Sequence, residues 1–464
     1  MNDNQNKKLK FHFSGICGAG MGNVAMLLKS LGHEVVGSDQ KAFPPMSTML
    51  AQEGIDIFEG YSAENIKSPD VQVIANALSR DNEECKVAQE AEWKMLSFPE
   101  VIEQYILPGR DSYVVAGTHG KTTTSSILAK MLEPLDAGSL IGGIMKTGEP
   151  GCSLGKKGSP FVLEGDEYDT AWFDKHSKFL HYCPKFLILT HLEWDHVDIF
   201  PEFENMIQEF RSLLKLMPDD GCVLYCGDVP ELVDLMKDHK GKSLSYGFSD
   251  QCDWQCVHHE RKDGMTHMTL LNDEQEYQCE VELFGKLYLL NVLAAFAMVK
   301  ESTDLKVEQI SQQVRNFTGA KRRLELLREE GFMLFSDFAH HPTAIEATLV
   351  AMKDEFPTKT LTALFDPRNA TSRRNVFEDQ LVKSFELADQ VIIAPPHPDK
   401  RLSDSEKLNA KELAARIGEG AVGFDDKNSF IEHVSRSIKQ DEIVVVMSCG
   451  DCYGVIPFLE ELSV

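Results

Sequence analysis

The chain has 464 residues and a formal net charge of -26, from 47 lysines and arginines against 73 aspartates and glutamates. This length exceeds one ordinary hydrophobic core, so we expect several domains. The acidic surplus opposes nucleic acid and anionic membranes as partners, and an anionic ligand must be held locally by backbone amides, helix N-termini, lysines or Mg2+.

The N-terminal segment, MNDNQNKKLKFHFSG, has no apolar stretch of signal-peptide length, and no apolar run elsewhere reaches the about 20 residues of a membrane span. We therefore expect a cytoplasmic protein with no membrane partner. Eleven scattered cysteines fit reduced thiols better than a disulfide framework. Cys449 and Cys452 have metal-like spacing, but no second pair accompanies them, so ordinary thiols are the preferred interpretation.

Strand-like apolar runs alternate with helical patterns along most of the chain, which is typical of parallel α/β layers. The chain opens with a βαβ unit whose helical pattern covers 23–31. Short alternating strands interrupt the α/β pattern at 252–283, and a helix is predicted at 289–300. The other predicted strands lie at 9–13, 34–36, 71–75, 113–116, 185–190, 221–225, 332–335, 361–365, 391–394 and 443–447.

Two changes of pattern divide the chain. One lies near Pro108 and Gly109, and the other lies within 318–323. We predict an α/β protein of three domains, of which the first and the last are Rossmann-like. Their predicted ranges are 1–109, 110–320 and 321–464.

The strongest single motif is the glycine-rich segment at 117–123, which follows an apolar strand and opens a helical run. Its glycines let backbone N–H groups face phosphate oxygens, Lys121 adds a positive charge, and the Thr122 hydroxyl can bind Mg2+. The usual loop has a further glycine where this chain has Val115, so the loop is a shortened variant. A purely structural turn is the alternative. The residues expected to contact ATP are Gly117, Thr118, His119, Gly120, Lys121, Thr122 and Thr123.

This loop and five further motifs resemble the Mur ligase family of peptidoglycan synthesis. The resemblance covers nearly the whole chain. It implies an ATP-dependent ligase of cell-wall biogenesis that forms a C–N bond, with a UDP-sugar-binding domain first, an ATP-binding domain in the centre and a peptide-binding domain last. The five motifs are EGDEYD at 164–169, LEWDHVD at 192–198, NVLAA at 291–295, KRR at 321–323 and DFAHHP at 337–342.

Further segments resemble particular branches of the family. GICGAGMG at 15–22 is similar to the branches that act on UDP-N-acetylmuramate. The branch that adds L-alanyl-γ-D-glutamyl-meso-diaminopimelate, a tripeptide of murein recycling, is favoured over the branch that adds L-alanine in de novo synthesis. The segments that favour it are PPMST at 44–48, NALSR at 76–80, EYDTAWFDK at 167–175 and SKF at 177–179.

Two other classes of function remain as alternatives. An NAD-dependent oxidoreductase built on the first βαβ unit leaves Lys121 unexplained. A binding protein that uses ATP only to change shape leaves Glu164, His196 and Asp337 unexplained. A monomer or weak homo-oligomer is expected.

The resemblance implies catalytic roles for Lys121, Glu164, His196 and His340. Glu164 and His196 each follow an apolar strand, so both can project into one crevice, and with Thr122 they are the expected ligands of Mg2+, or of Mn2+ in its place. A solvated acidic turn and a packed histidine are the alternatives. Some branches carry a carboxylated lysine after this histidine, but this chain offers Arg211 there, so we do not expect the modification.

The resemblance also implies further nucleotide contacts from Asn291, Arg323 and Asp337, although the family's usual His-Asn pair is replaced by Leu287 and Tyr288. Because these ligands come from different domains, we expect domain closure that excludes water.

The UDP-sugar and the peptide are assigned to the outer domains. The loop at 15–22 lacks the third glycine of the dinucleotide fingerprint, so a turn without a ligand is its alternative. Arg368 and Arg373 offer planar, bidentate donors to peptide carboxylates. The residues expected to contact the UDP-sugar are Gly15, Cys17, Gly18, Gly20, Met21, Ser38, Asp39 and Ser79.

Overall fold

The computed structural model describes residues 7–143, 145–146 and 151–462. Three large sheets follow one another along the chain, and each is packed with helices. This arrangement confirms the predicted α/β class.

The first sheet is parallel throughout and has the strand order β3-β2-β1-β4-β5. Its middle strands β1 and β4 are buried on both faces, and they bury the polar residues His12, Ser14 and Gln72 as well as apolar ones. The strands are β1 (Lys10–Ser14), β2 (Glu34–Asp39), β3 (Asp56–Glu59), β4 (Val71–Ile74) and β5 (Met95–Ser97). The helices are α1 (Ala19–Ser30), α2 (Met46–Gln52), α3 (Glu83–Glu90) and α4 (Phe98–Val101).

The second sheet is the largest, with the order β17-β16-β15-β14-β13-β12-β6-β9-β7-β8. Its strands are β6 (Ser112–Ala116), β7 (Gly138–Leu140), β8 (Cys152–Ser153), β9 (Phe161–Gly165), β12 (Phe186–Leu189), β13 (Cys222–Cys226), β14 (Ser243–Gly247), β15 (Trp254–Lys262), β16 (Met265–Asn272) and β17 (Gln275–Val281). A separate antiparallel pair is formed by β10 (Asp169–Ala171) and β11 (Asp174–Ser177). The helices are α5 (Lys121–Met131), α6 (Phe203–Lys215), α7 (Pro230–Met236), α8 (Lys286–Ser302) and α9 (Val307–Arg315).

Strands β12, β6 and β9 are adjacent and parallel. Their carboxyl ends therefore meet at one edge of the sheet, where open α/β sheets commonly bind ligands. The short strands expected at 252–283 form the antiparallel extension β15, β16 and β17. This extension lies at the far end of the sheet from β9.

The third sheet has the order β18-β19-β23-β20-β21-β22 and is parallel except for β18. Its strands are β18 (Glu325–Arg328), β19 (Met333–Asp337), β20 (Leu361–Phe365), β21 (Gln390–Ile393), β22 (Ala421–Gly423) and β23 (Ile443–Met447). Its helices are α10 (Pro342–Glu355), α11 (Glu378–Ser384), α12 (Ala410–Ile417), α13 (Lys427–Ser437) and α14 (Val455–Glu461).

Most predicted elements agree with the structure to within a few residues. The largest shift is in α1, which begins at Ala19, four positions before the predicted start at 23. The first turn of α1 contains Gly20 and Gly22, and the apolar spacing that predicts a helix begins only after them. Among the described residues, no helix has both the length and the apolar character needed to cross a membrane.

Side-chain hydrogen bonds join the segments that carry the three sheets. Asn76, after β4, donates to Asp169 Oδ1 of β10 at 2.8 Å. Thr371, after β20, donates to Asp195 Oδ1, after β12, at 2.7 Å. The carboxyl edge of the central sheet therefore faces both neighbouring sheets.

Candidate active site

The predicted phosphate loop connects β6 to α5. Gly117 and Gly120 have φ angles of 131° and 80°, which favour glycine. A Cβ at Gly120 would lie 2.5 Å from Oδ1 of Asn291, and one at Gly117 would lie 2.7 Å from the backbone nitrogen of His191. Both glycines are required by backbone conformation and by close packing.

Lys121, the first residue of α5, is held by Glu167. Its Nζ lies 2.8 Å from each carboxylate oxygen of Glu167 and 2.6 Å from the Gly117 carbonyl oxygen. The Glu167 side chain is only 1% exposed. Burial lowers the pKa of Lys121, but the charge and hydrogen bonds of Glu167 raise it by more, so the ammonium stays charged.

Thr122 and Glu164 form a second contact across the loop. The Thr122 hydroxyl donates to Glu164 Oε1 at 2.8 Å, and the Gly142 backbone N–H donates to Oε2 at 2.7 Å. Arg323 reaches the same hydroxyl, with its Nη2 2.9 Å from Thr122 Oγ1. An oxygen-rich group of this kind suits a hard divalent cation beside the loop.

His196 lies closer to Glu167 than to the Thr122 and Glu164 pair. Its Nε2 is 3.7 Å from Glu167 Oε2, and its ring centroid is 4.5 Å from that of Tyr168. Its Nδ1 is buried and has no hydrogen-bond partner among the described residues. The predicted metal ligands therefore form two neighbouring groups, with Glu167 and Lys121 between them. Hydroxyl, carboxylate and imidazole donors together fit Mg2+ or Mn2+.

His340 and Asp195 form a buried pair at the edge of the third sheet. His340 Nε2 lies 3.6 Å from Asp195 Oδ2, and the Thr371 hydroxyl holds the other oxygen of Asp195. Burial lowers the pKa of His340, but Cys449 and Asp195 raise it by more, so the net pKa lies well above the usual value. The direction of this shift favours the protonated imidazole.

Asp337, at the end of β19, is saturated by protein donors. Its Oδ2 accepts from the Tyr288 hydroxyl and the Leu324 N–H, both at 2.8 Å. Its Oδ1 accepts from Ala339 N–H at 2.8 Å and from Thr348 Oγ1 at 3.3 Å. Asp337 therefore fixes the positions of neighbouring groups, and Tyr288 takes part in this network at the site of the altered family motif.

One cavity of about 440 Å3 brings most of these groups together. All three sheets contribute segments to it. Of the predicted residues, it is lined by Gly20, the loop from Thr118 to Thr123, Glu164, His196, Asn291, Arg323, Asp337 and His340. Gly117 lies at the start of the loop, where its carbonyl oxygen accepts from Lys121.

Sequence reasoning gave no role to two further charged residues of this cavity. Lys178 Nζ lies 2.5 Å from Asp166 Oδ2 and 5.7 Å from the centre of the Tyr168 ring. Both residues belong to motifs that support the family resemblance. A lysine in a segment that becomes mostly buried was the available signal, because such a lysine needs a partner.

His119 differs from the rest of the phosphate loop. Its imidazole is 7% exposed and is hydrogen-bonded to Glu193. Burial lowers the pKa of His119 to about 4, and Glu193 offsets this effect only in part. The imidazole is therefore neutral at pH 7 and is engaged with Glu193.

The glycine loop at 15–22 connects β1 to α1. Asp39 Oδ2 accepts the Cys17 backbone N–H at 2.8 Å, which fixes the loop. Gly18 is exposed and caps α1, and the three atoms nearest to a Cβ at Gly20 would belong to the Phe98 ring, the closest at 3.2 Å. These residues present backbone at the N-terminus of a helix, as an anionic diphosphate requires.

Other predicted contacts of the first sheet lie elsewhere. Ser38 is fully buried and its hydroxyl donates to Glu84 at 2.6 Å, so it supports the loop from behind. Met21 is also buried, and a Cβ at Gly15 would lie 2.6 Å from that of Ala75. Ser79 is exposed in the segment after β4.

The two predicted peptide-binding arginines are outside the main cavity. Arg368 is 39% exposed and its Nη1 lies 2.9 Å from Asp451 Oδ1. Arg373 is 16% exposed, pairs with Asp399 at 3.1 Å, and lines a second cavity of about 430 Å3. Arg211, in α6, is 41% exposed and pairs with Glu204 at 2.7 Å, so it lies on the surface rather than at the metal ligands.

Comparisons with known proteins agree with this arrangement. Three family profiles match: "Mur ligase family, catalytic domain" at 10–108, "Mur ligase middle domain" at 115–299 and "Mur ligase, glutamate ligase domain" at 322–450. The chain is 33% identical over 467 residues to the UDP-N-acetylmuramate:L-alanyl-γ-D-glutamyl-meso-2,6-diaminoheptandioate ligase of Escherichia coli (strain K12), with 96% of each chain covered.

The chain is also similar to a solved structure and to a ligase whose name gives L-alanine as the added group. A crystal structure of a murein peptide ligase from Psychrobacter arcticus 273-4 is 30% identical, with a TM-score of 0.72, and the match covers 98% of this chain and all of that one. The UDP-N-acetylmuramate:L-alanine ligase of Geobacter sp. (strain M21) is 31% identical, with 96% of each chain covered.

Proposed function

The chain belongs to the Mur ligase family of ATP-dependent ligases, and we propose that it joins L-alanyl-γ-D-glutamyl-meso-diaminopimelate to UDP-N-acetylmuramate. The similarity to the Escherichia coli ligase over 96% of both chains supports this choice of substrates. We place this reaction in the cytoplasm. The tripeptide would come from recycled murein.

The proposed reaction begins with the lactyl carboxylate of the sugar. One carboxylate oxygen attacks the γ-phosphorus of ATP, the bond to the bridging oxygen breaks, and ADP leaves with that electron pair. The resulting acyl phosphate is attacked at its carbonyl carbon by the free amine of the peptide. The tetrahedral intermediate expels inorganic phosphate, the nitrogen loses a proton, and an amide remains.

Two anions meet in the first step, so positioning and charge neutralisation must supply most of the catalysis. Lys121 and Arg323 supply fixed positive charge beside the N-terminus of α5. Because the Lys121 ammonium is paired with the Glu167 carboxylate, phosphate oxygens would displace that carboxylate when ATP binds. Glu167 would then be free to pair with His196, 3.7 Å away.

Thr122, Glu164 and His196 are the residues we assign to Mg2+ or Mn2+. When bound, such an ion neutralises phosphate and carboxylate charge in the transition state. The chain's own contribution is to keep these donors apart and oriented. Gly142 donates to Glu164, and Arg323 donates to Thr122.

His340 suits the second step. The raised pKa of His340 favours its imidazolium form, its Nδ1 lies 3.0 Å from the Phe338 carbonyl oxygen, and Asp195 Oδ2 lies 3.6 Å from its Nε2. We assign it to the negative charge that develops on the carbonyl oxygen or the leaving phosphate. Thr371 fixes Asp195, so this group is complete only when the third sheet packs against the central one.

The remaining contacts extend the same proposal. The UDP portion would lie on the loop at 15–22, with Asp39 behind it. Arg368 and Arg373 would bind carboxylates of the peptide, after exchange of their present partners Asp451 and Asp399. Planar bidentate donors are well suited to carboxylates.

One observation carries the proposal: the Lys121 loop, Glu164, His196 and His340 line a single cavity between the sheets. The test measures phosphate release with ATP, Mg2+ and UDP-N-acetylmuramate, with either the tripeptide or L-alanine as the amine. We expect a much higher kcat/KM for the tripeptide, with one amide formed per phosphate. A clear preference for L-alanine would instead assign the chain to the other branch.

A further inference from the structure

Three histidines lie around one carboxylate beside the glycine-rich loop, to which His119 belongs. Ligand atoms of His119, His191 and Glu193 all lie within 4.8 Å of one another. His341 lies outside this group of three but contacts it, with its Nδ1 3.0 Å from Glu193 Oε1. His191 and Glu193 follow β12, whereas His341 comes immediately before α10 of the third sheet. We call these four residues the histidine cluster.

Hydrogen bonding among the described residues satisfies only part of this cluster. Glu193 is hydrogen-bonded to His119 and to Thr343, and His191 Nδ1 lies 3.3 Å from Thr118 Oγ1. His341 is 5% exposed, yet neither of its ring nitrogens has a hydrogen-bond partner among the described residues, because its Nδ1 is near Glu193 in a poor orientation. An unsatisfied buried polar group destabilises the fold. A cation bound between the rings and the carboxylate would use one of these nitrogens.

The surroundings have features of a metal-binding site. Thr343 donates to Glu193 Oε2 at 2.8 Å, which orients the carboxylate as supporting hydrogen bonds do in metal sites. The Phe377 ring packs against His341, with centroids 4.8 Å apart, and provides an apolar wall. His191 and Glu193 are 19% and 23% exposed, which gives an ion a route from solvent.

We propose that His119, His191, Glu193 and His341 form a second metal site, specific for a divalent ion of the zinc class. Three imidazoles and one carboxylate suit Zn2+ in tetrahedral geometry, whereas Mg2+ prefers oxygen ligands. The site shares no residue with Thr122, Glu164 and His196. Its ligands come from the phosphate loop, the segment after β12 and the start of α10, so a bound ion ties the loop to the third sheet.

The experiment uses Co2+ as a spectroscopic substitute for Zn2+ on the full-length, chelator-treated protein in excess Mg2+. We expect one equivalent to bind with the intense visible absorption of tetrahedral Co2+, and Zn2+ to displace it. In His191→Asn, the affinity for Co2+ should fall by at least about 10- to 100-fold, because that is the usual loss when even a supporting hydrogen bond to a metal ligand is removed. Glu164→Gln should keep the band, because Glu164 belongs to the other site.

His259→Asn is the matched control, since this histidine is exposed on β15. Thermal unfolding provides a second measurement: Zn2+ should raise the Tm of the wild type and of His259→Asn but not that of His191→Asn. Thr343→Val keeps all four ligands and should weaken binding without abolishing it. Two results would overturn the proposal. One is equal Co2+ affinity and equal spectra in the wild type and His191→Asn. The other is a weak octahedral spectrum alone, which disappears with Mg2+ or in Glu164→Gln.

Discussion

The Lys121 ammonium lies 2.8 Å from both carboxylate oxygens of Glu167, a residue 46 positions away on the segment after β9. The pair keeps the lysine charged inside a largely buried cavity. Under the proposed function, a phosphate oxygen of ATP must displace this carboxylate to reach the ammonium. Glu167 therefore holds the Lys121 side chain in position until ATP binds.

Replacing Lys121 tests this role. Lys121→Ala should lower kcat by about 100- to 1000-fold or more, the usual loss when a fixed donor to a charged transition state is removed. Binding of UDP-N-acetylmuramate, measured by calorimetry, should change little because that ligand is assigned to the first sheet. Lys130→Ala, in the last turn of the same helix, is the control. Retention of turnover in Lys121→Ala would contradict the assignment.

The hydrogen bond from Thr371 to Asp195 tests domain closure. Thr371→Val keeps the side-chain volume but removes the donor, and hydrogen bonds to charged groups contribute about 1.5 to 3 kcal/mol. We expect kcat/KM for the peptide to fall about tenfold or more. Thr358→Val, exposed after α10, should behave like the wild type.

Small-angle scattering provides the structural measurement for the same variant. The wild type should become more compact when UDP-N-acetylmuramate and a non-hydrolysable ATP analogue are both added, and Thr371→Val should do so less. If the wild type shows no compaction with both ligands, closure is not part of the mechanism.

Arg368 tests recognition of the peptide. Arg368→Ala should raise the KM for the tripeptide by about 10- to 100-fold, since a charge-assisted pair is lost, while the KM for UDP-N-acetylmuramate stays the same. Arg368→Lys should recover only part of the loss, because lysine lacks the planar fork. Arg436→Ala, on the exposed face of α13, is the control. Equal changes in both KM values would show that Arg368 acts through the fold instead.

Glu84 provides a test of stability against pH. Burial raises its pKa, but hydrogen bonds from His12, Ser14 and Ser38 lower it by more, so the net pKa is below the ordinary value. A carboxyl whose folded pKa is lowered stabilises the fold above its unfolded pKa of about 4.3, and this stabilisation is lost as pH falls through the folded pKa.

Glu84→Gln should therefore lower the free energy of unfolding at pH 7 by about 1.5 to 3 kcal/mol. The difference from the wild type should shrink as the pH falls below about 4, where the wild-type carboxyl becomes protonated. Denaturant unfolding across this pH range measures it. Glu83→Gln, the exposed neighbour, should show little effect. A difference that stays constant from neutral to acidic pH would contradict the role of the charge.

Local patterns were enough to predict the α/β fold and the phosphate loop. The loop's glycines, Lys121 and Thr122 are adjacent in sequence, and their positions follow from a strand that leads into a helix. Glu164 was also predictable, because it ends an apolar strand. Such features depend on neighbouring residues along the chain.

Contacts between distant segments were not predictable in this way. Asp195 and Thr371 are 176 positions apart, and nothing in either local sequence indicates their hydrogen bond. Asp337 was predicted to contact the nucleotide, but its carboxylate oxygens accept hydrogen bonds from Tyr288 and three other donors. Ser38 follows the predicted strand at 34–36, but in the structure it lies within β2 and its hydroxyl donates to Glu84 in the interior. Side-chain direction at these positions depends on which sheets and helices pack together.

The central claim is that ATP activates the sugar carboxylate at the Lys121 loop. Labelling the lactyl carboxylate of UDP-N-acetylmuramate with 18O tests it directly, with mass spectrometry of the inorganic phosphate after one round of ligation to the tripeptide. The account predicts that each phosphate carries one 18O from the sugar, because the attacking oxygen leaves with phosphorus. Phosphate without the label, formed together with the amide, would contradict an acyl phosphate and the account built on it.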